Sequence, residues 1–223
     1  MISAGNDIVA LNSHSARAGS KRFYSKILCD PELVLYTRQM RLVLPLYQYV
    51  WLIWSVKESV YKFQQQNNPL LRFAPKKMMV QNMLLREDRA GLSENSGNET
   101  MEWENDRCCH CTIISHDQVF YTRSFICSDY IHTVANSHPC FDNISWSVRQ
   151  IAQTDYHTQS GEVRSFLLEQ LRDIFPGTPL EIGKHAAGYP LLLNNGSAMP
   201  VPLSFTHDEQ FIAYSFNLPP GNR

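Results

Sequence analysis

Apolar positions in this chain come in two rhythms. Around Ile8, Val9 and Leu11 they are short and rich in β-branched residues, which predicts a strand from Ile2 to Leu11. Asp7 interrupts it. A carboxylate among apolar neighbours is paired, metal-bound or at the strand's edge; the plainer reading is a turn or cap residue after Gly5-Asn6. Asp30-Pro31-Glu32 opens a helix with Asp30 as cap and Pro31 at the first position. From Leu42 the apolar run lengthens, Pro45 opens a long helix that reaches Lys62, and the stretch 64–68 with Pro69 stops it. Phe73 to Met83 is mixed and strand-like. From Cys108 to Val134 strand texture dominates, with His116-Asp117 as a turn. Apolar residues at 163, 166, 167, 171, 174 and 175 fit one helix face, ended by Pro176-Gly177. Leu180 to Ile182 and Leu191 to Leu193 read as strands around a Gly188-Tyr189-Pro190 turn. Val201 to Phe216 reads as strand, turn, strand, with Thr206-His207-Asp208 at the bend.

Helices and strands are thus mixed in two roughly equal parts, each with a helix flanked by strands, and the class is α+β. The polar stretch from Arg86 to Asn105 reads as a linker, so the expected lobes are 1–95 and 96–223. Charge adds a bias along the chain. The net charge is −1, yet residues 1–89 hold 13 Lys and Arg against 6 Asp and Glu, and residues 90–223 hold 7 against 15. A basic first part predicts an acidic ligand or partner there. Lys76-Lys77 is the longest basic run, which argues against a nucleic-acid stripe. Leu42 to Trp54 is too short to span a bilayer and contains Pro45 and Gln48. No signal peptide is recognisable, because Asn6 and Asp7 break the apolar start. The six cysteines show no secretory framework, which points to free thiols in a reducing cytoplasm. Cys108-Cys109-His110-Cys111 lacks the second ligand pair of a structural zinc site and reads as a strand.

Candidate chemistry concentrates in Trp54-Ser55-Val56-Lys57-Glu58-Ser59-Val60-Tyr61-Lys62. On a helix Glu58 and Lys62 share one face, with Trp54 a turn before them, and Lys57 and Tyr61 form the neighbouring pair. In isolation the first pair is a surface ion pair worth roughly 0.3–0.5 kcal/mol. It is also a carboxylate for a hard metal ion beside an ammonium for a phosphate, the combination diphosphate chemistry uses with magnesium.

Gly5-Asn6-Asp7-Ile8-Val9, the Trp54–Lys62 segment and Ser204-Phe205-Thr206-His207-Asp208 together resemble the 4′-phosphopantetheinyl transferases. Those enzymes carry a Gly-x-Asp-Ile/Val segment and a Trp/Phe-Ser-x-Lys-Glu-Ala/Ser-x-x-Lys segment, matched here by Gly5 and Asp7 and by Trp54, Ser55, Lys57, Glu58, Ser59 and Lys62. Arg22-Phe23, Lys26-Ile27 and Glu32 resemble the stretch between those motifs. Gly188-Tyr189-Pro190 and Ser204 to His207 resemble the Gly-Lys-Pro and Ser-x-Ser-His elements.

The resemblance implies two similar α+β lobes in one chain, a pseudo-dimer acting as a monomer with its site between the lobes. It implies transfer of the phosphopantetheine arm from coenzyme A to a serine of an apo acyl or peptidyl carrier protein of fatty acid, polyketide or nonribosomal peptide synthesis. Asp7 and Glu58 would hold magnesium. Lys57, Lys62 and Lys184 would contact phosphates, with Gly188, Pro190, Thr206 and His207 completing the coenzyme site. Glu58 would also take the serine proton, and His207 is otherwise a turn histidine. Three features depart from the family. Val9 stands where two-lobed members often have a second acid, Tyr189 replaces a basic residue, and the His motif comes last. A non-catalytic homologue that binds coenzyme A or a carrier, or a plain interaction domain, are the competing readings.

Overall fold

The computed structural model describes residues 3–13, 20–86 and 107–218. In chain order the elements are β1 (Gly5–Ala10), α1 (Lys21–Tyr24), α2 (Asp30–Leu35), α3 (Leu46–Gln65), β2 (Met78–Arg86), β3 (Arg107–Ser115), β4 (Gln118–Ile126), β5 (Tyr130–Asn136), β6 (Ile144–Gln150), α4 (Tyr156–Ile174), β7 (Leu180–Lys184), β8 (Pro190–Asn194), β9 (Ser197–Asp208) and β10 (Phe211–Asn217). They form two antiparallel sheets, ordered β1-β5-β4-β3-β2 and β6-β10-β9-β8-β7. The wiring is the same in both. The first strand pairs with the last, the remaining strands follow in reverse order, and one long helix separates the first strand from the rest.

The expected class, α+β, is the observed one, but the division between the parts is not at 95/96. Arg86 pairs with Cys108, so β2 and β3 are neighbours in one sheet across residues 87–106. Those residues, which contain most of the expected linker, lie outside the described ones. β5 then returns to pair with β1 from Tyr130 to Ala135. The change of sheet therefore falls between Asn136 and Ile144.

Each helix buries one face on its sheet. On α3 the residues Leu52, Val56, Val60 and Phe63 meet Val80, Ile113, Ile131 and Ala135. Cys109 and Cys111 belong to this core, as alternate residues of a strand should, and both are free thiols. On α4 the residues Val163, Phe166, Leu167 and Leu171 meet Leu192, Leu203, Ile212 and Tyr214. The α2 cap lies one residue earlier than expected: Cys29 is the N-cap and Glu32 reaches back to its N–H at 2.9 Å.

Two close approaches fix the centre of the molecule. Gly5 lies under α3 so tightly that a Cβ there would sit 2.2 Å from the Ser59 carbonyl oxygen. Ser55 and Ser59, one turn apart, hydrogen-bond Thr133 on β5 at 3.0 and 3.1 Å. The second approach joins the sheets. The N–H groups of Asn6, Ile8 and Ala10 donate to Ser204 Oγ, Thr206 Oγ1 and Asp208 Oδ2 at 3.1, 3.1 and 2.8 Å. Alternate side chains of β9 thus satisfy the outer edge of β1, where a bare row of donors would otherwise be left.

Candidate active site

Helical spacing lines up Trp51, Trp54, Glu58 and Lys62 along one face of α3. This face runs beside β1, whose alternation turns Asp7 toward it. Opposite stand Tyr156, Ser160 and Arg164 of α4, Lys184 at the end of β7, Gly188 and Pro190 before and at the start of β8, and Phe205 to Asp208 of β9. Between these walls lies a cavity of about 450 Å³. Trp54 is held by Trp51 and Phe73, both edge-on at 6.2 and 5.2 Å, so the aromatic side of the cavity is braced.

Lys62 is the centre of the charged cluster. Its Nζ lies 3.1 Å from Asp7 Oδ1 and 3.5 Å from Glu58 Oε1. Thr206 donates to the same Asp7 oxygen at 3.3 Å while its hydroxyl accepts from Ile8 N–H, so one side chain orients both strand and carboxylate. Burial first and the Glu58 charge second push Asp7 up to about 7, against the pull of Lys62. Burial opposes the charged form of Lys62, but the two carboxylates outweigh it and the ammonium is held above its usual range. The site therefore keeps a firm positive charge beside a carboxyl poised near neutrality.

The wall from the second sheet carries Arg164 and Lys184, with His207 and the carboxylate Asp208 beside them. Arg164 donates to the carbonyl and hydroxyl of Ser160, a turn earlier on α4. His207 is pushed down by burial and then by Lys62, so it is predominantly neutral at pH 7. Gly188 has φ +97, the left-handed region glycine favours, and this lets the β7–β8 turn bring both Lys184 and Pro190 to the cavity. Tyr189 stacks flat on His185, with centroids 4.3 Å apart, and not against the cavity.

Asp7, Glu58, Lys62, Lys184, Gly188, Pro190, Thr206 and His207 all line this one cavity, although the sequence separates them by up to 200 positions. Lys57 does not. It is fully buried, with Nζ 2.8 Å from both Glu32 Oε2 and the Ile27 carbonyl. One residue is about 100° of helix turn, so Lys57 faces α2 while Glu58 faces the cavity. Its expected phosphate contact is corrected to a structural ion pair. Glu32 is the hub of that pair, since its other oxygen accepts Val80 N–H at 2.9 Å. Sequence reasoning missed Tyr156, Ser160 and Arg164. Their four-residue spacing beside the apolar face of α4 was the available signal.

The donor set also bears on a metal ion. Among the described residues no group of three or more His, Cys, Asp or Glu side chains gathers at ligating distance. Asp7 Oδ2, however, is buried without a hydrogen-bond partner, and Glu58 shares Lys62 with the same carboxylate. Two carboxylates with waters and substrate phosphates are a sufficient donor set for magnesium. The residues present fit such an ion.

A family model described as the 4′-phosphopantetheinyl transferase superfamily matches residues 3–135, which include the first sheet, α3, Asp7, Glu58 and Lys62. The opposite wall of the cavity lies beyond the matched segment. No curated protein and no solved structure matches the chain.

Proposed function

Because this chain belongs to the 4′-phosphopantetheinyl transferase superfamily, we propose that it moves the phosphopantetheine arm of coenzyme A onto a serine of an apo acyl or peptidyl carrier protein. The observation that carries the reading is the convergence of Asp7, Glu58 and Lys62 with Lys184, Arg164 and His207 on one cavity. That arrangement offers carboxylates for a cation and basic groups for a diphosphate, facing each other.

In the proposed reaction the coenzyme lies along the cavity with its diphosphate at Lys62. Asp7 and Glu58 would hold magnesium, which would supply positive charge to the diphosphate. Glu58 accepts the proton of the carrier's serine hydroxyl. The serine oxygen bonds to the phosphorus carrying pantetheine, and the anhydride bond breaks. Its electron pair leaves with adenosine 3′,5′-bisphosphate. Lys62 balances that charge as a fixed ammonium. Thr206 keeps Asp7 in register throughout, since it also tethers β1.

The two like-ordered sheets support a pseudo-dimer, and one chain supplies both walls, so a monomer suffices. Free cysteines suit a reducing cytoplasm. Among the described residues no helix is long and apolar enough to cross a membrane.

The test is nucleotide release. With magnesium and an apo carrier, adenosine 3′,5′-bisphosphate should appear by chromatography in step with carrier consumed; without carrier, coenzyme A should remain intact. Tight coenzyme binding with no release on any carrier class would instead identify a binding homologue.

A further inference from the structure

Tyr156 is used neither by the core nor by the transfer chemistry above. It opens α4 and is 64% exposed, yet it lines the cavity. The core face of α4 begins at Val163, so packing does not explain an aromatic residue here. Two rings hold it in place: His207 at 5.5 Å and 74°, and His157 at 5.9 Å and 78°. Both contacts are near-perpendicular, so neither ring lies flat on the tyrosine. Lys184 and Arg164 line the same wall, as does Asp208, whose carboxylate accepts the Ala10 N–H.

A largely exposed aromatic ring lining a cavity that also holds the cations Lys184 and Arg164 has the composition of a nucleotide-base subsite. Every base has a π-face that stacks on such a ring, and the cations hold the phosphates attached to its sugar. We propose that Tyr156 is the stacking platform for the purine of the coenzyme, with Lys184 and Arg164 bracketing the ribose-borne phosphate. The inference rests on the functional reading above and adds the residue that selects the nucleotide end of the substrate. Tyr156 is a specificity residue under it and takes no part in the bond changes.

The experiment is titration calorimetry of the full chain with two probes, adenosine 3′,5′-bisphosphate and 4′-phosphopantetheine, on wild type, Tyr156→Ala and Tyr156→Phe. The side chain is mostly exposed, so both variants should fold. Tyr156→Ala should weaken the bisphosphate roughly tenfold, as loss of one base–aromatic stack does. It should leave phosphopantetheine unchanged, and Tyr156→Phe should bind both probes like wild type. Equal weakening of both probes, or of neither, overturns the platform. So does a Phe variant as weak as Ala, because the hydroxyl would then be the contact. A wild type that binds neither probe overturns the coenzyme reading together with the platform, and so separates the two failures.

Discussion

At the scale of single residues the buried ionisable groups His132 and Lys57 serve opposite purposes. His132 is wholly buried on β5, its Nε2 3.3 Å from Asn6 Nδ2, and its ring packs on Trp146. Burial first and Lys62 second push it down to about 3, so it is neutral in the fold. The unfolded chain protonates this histidine near 6.5. Between those values the unfolded state binds the extra proton. Stability is therefore full above about pH 6.5 and lost as pH falls toward 3, by up to about 1.4 kcal/mol per pH unit. Thermal melts of His132→Phe at a series of pH values should fall less steeply with acid than those of the wild type, and parallel curves would contradict this. Lys57 serves the opposite purpose, as a buried charge retained by a partner. Lys57→Met strands the Glu32 carboxylate and should cost about 3–5 kcal/mol. Adding Glu32→Gln should restore part of that, and coenzyme affinity should stay near wild type wherever the protein is folded. Lys57 was misassigned to the phosphates for a plain reason. Its partner Glu32 lies on another element, and only the turn of the helix separates a residue facing α2 from one facing the cavity.

At the scale of elements, β1 is the pivot. Its inner side meets α3 at Gly5 and Asp7, and its outer edge is covered by β9. Gly5→Ala would drive a Cβ into the Ser59 carbonyl and the Phe63 backbone nitrogen, neither of which can yield. We expect a loss of about 3 kcal/mol or more, read by denaturant unfolding. Thr206 couples edge and site. Thr206→Val leaves the Ile8 N–H unpaired and Asp7 unsteadied, for about 1–3 kcal/mol of stability and a several-fold fall in kcat, whereas Thr206→Ser should retain both. An inactive serine variant of wild-type stability would show that the methyl group, and not the hydroxyl, matters. Most strands and both long helices were legible because period and length agree in them, but β6 was not read and α4 begins seven residues before the expected Val163. The division of the chain was not. Residues 87–106 carry the polarity of a linker, but β3 to β5 return to the first sheet through pairings that only long-range register reveals. Tyr156 and Arg164 escaped notice because no motif surrounds them; they became site residues only when β9 brought α4 opposite α3.

At the scale of the whole molecule, the site exists because two sheets of the same strand order meet along one edge. The first contributes the carboxylates and Lys62, and the second contributes Arg164, Lys184 and His207. The family match ends at residue 135, so half of the cavity wall stands on geometry alone. Fixed helical offsets made the shared face of Glu58 and Lys62 readable in advance, and the resemblance of the Gly5–Val9 segment added Asp7. On the other wall Lys184, Gly188, Pro190, Thr206 and His207 were named from motif resemblance, whereas Tyr156, Ser160 and Arg164 depend on how the sheets join, which no local pattern encodes. The most direct test of the account is the intact mass of an apo carrier protein after incubation with coenzyme A and magnesium. Wild type should add one phosphopantetheine arm, EDTA should abolish the gain, and Glu58→Gln should slow it roughly a hundredfold or more with little change in melting temperature. A carrier that gains the arm as fast with Glu58→Gln as with wild type would contradict the placement of the chemistry in this cavity.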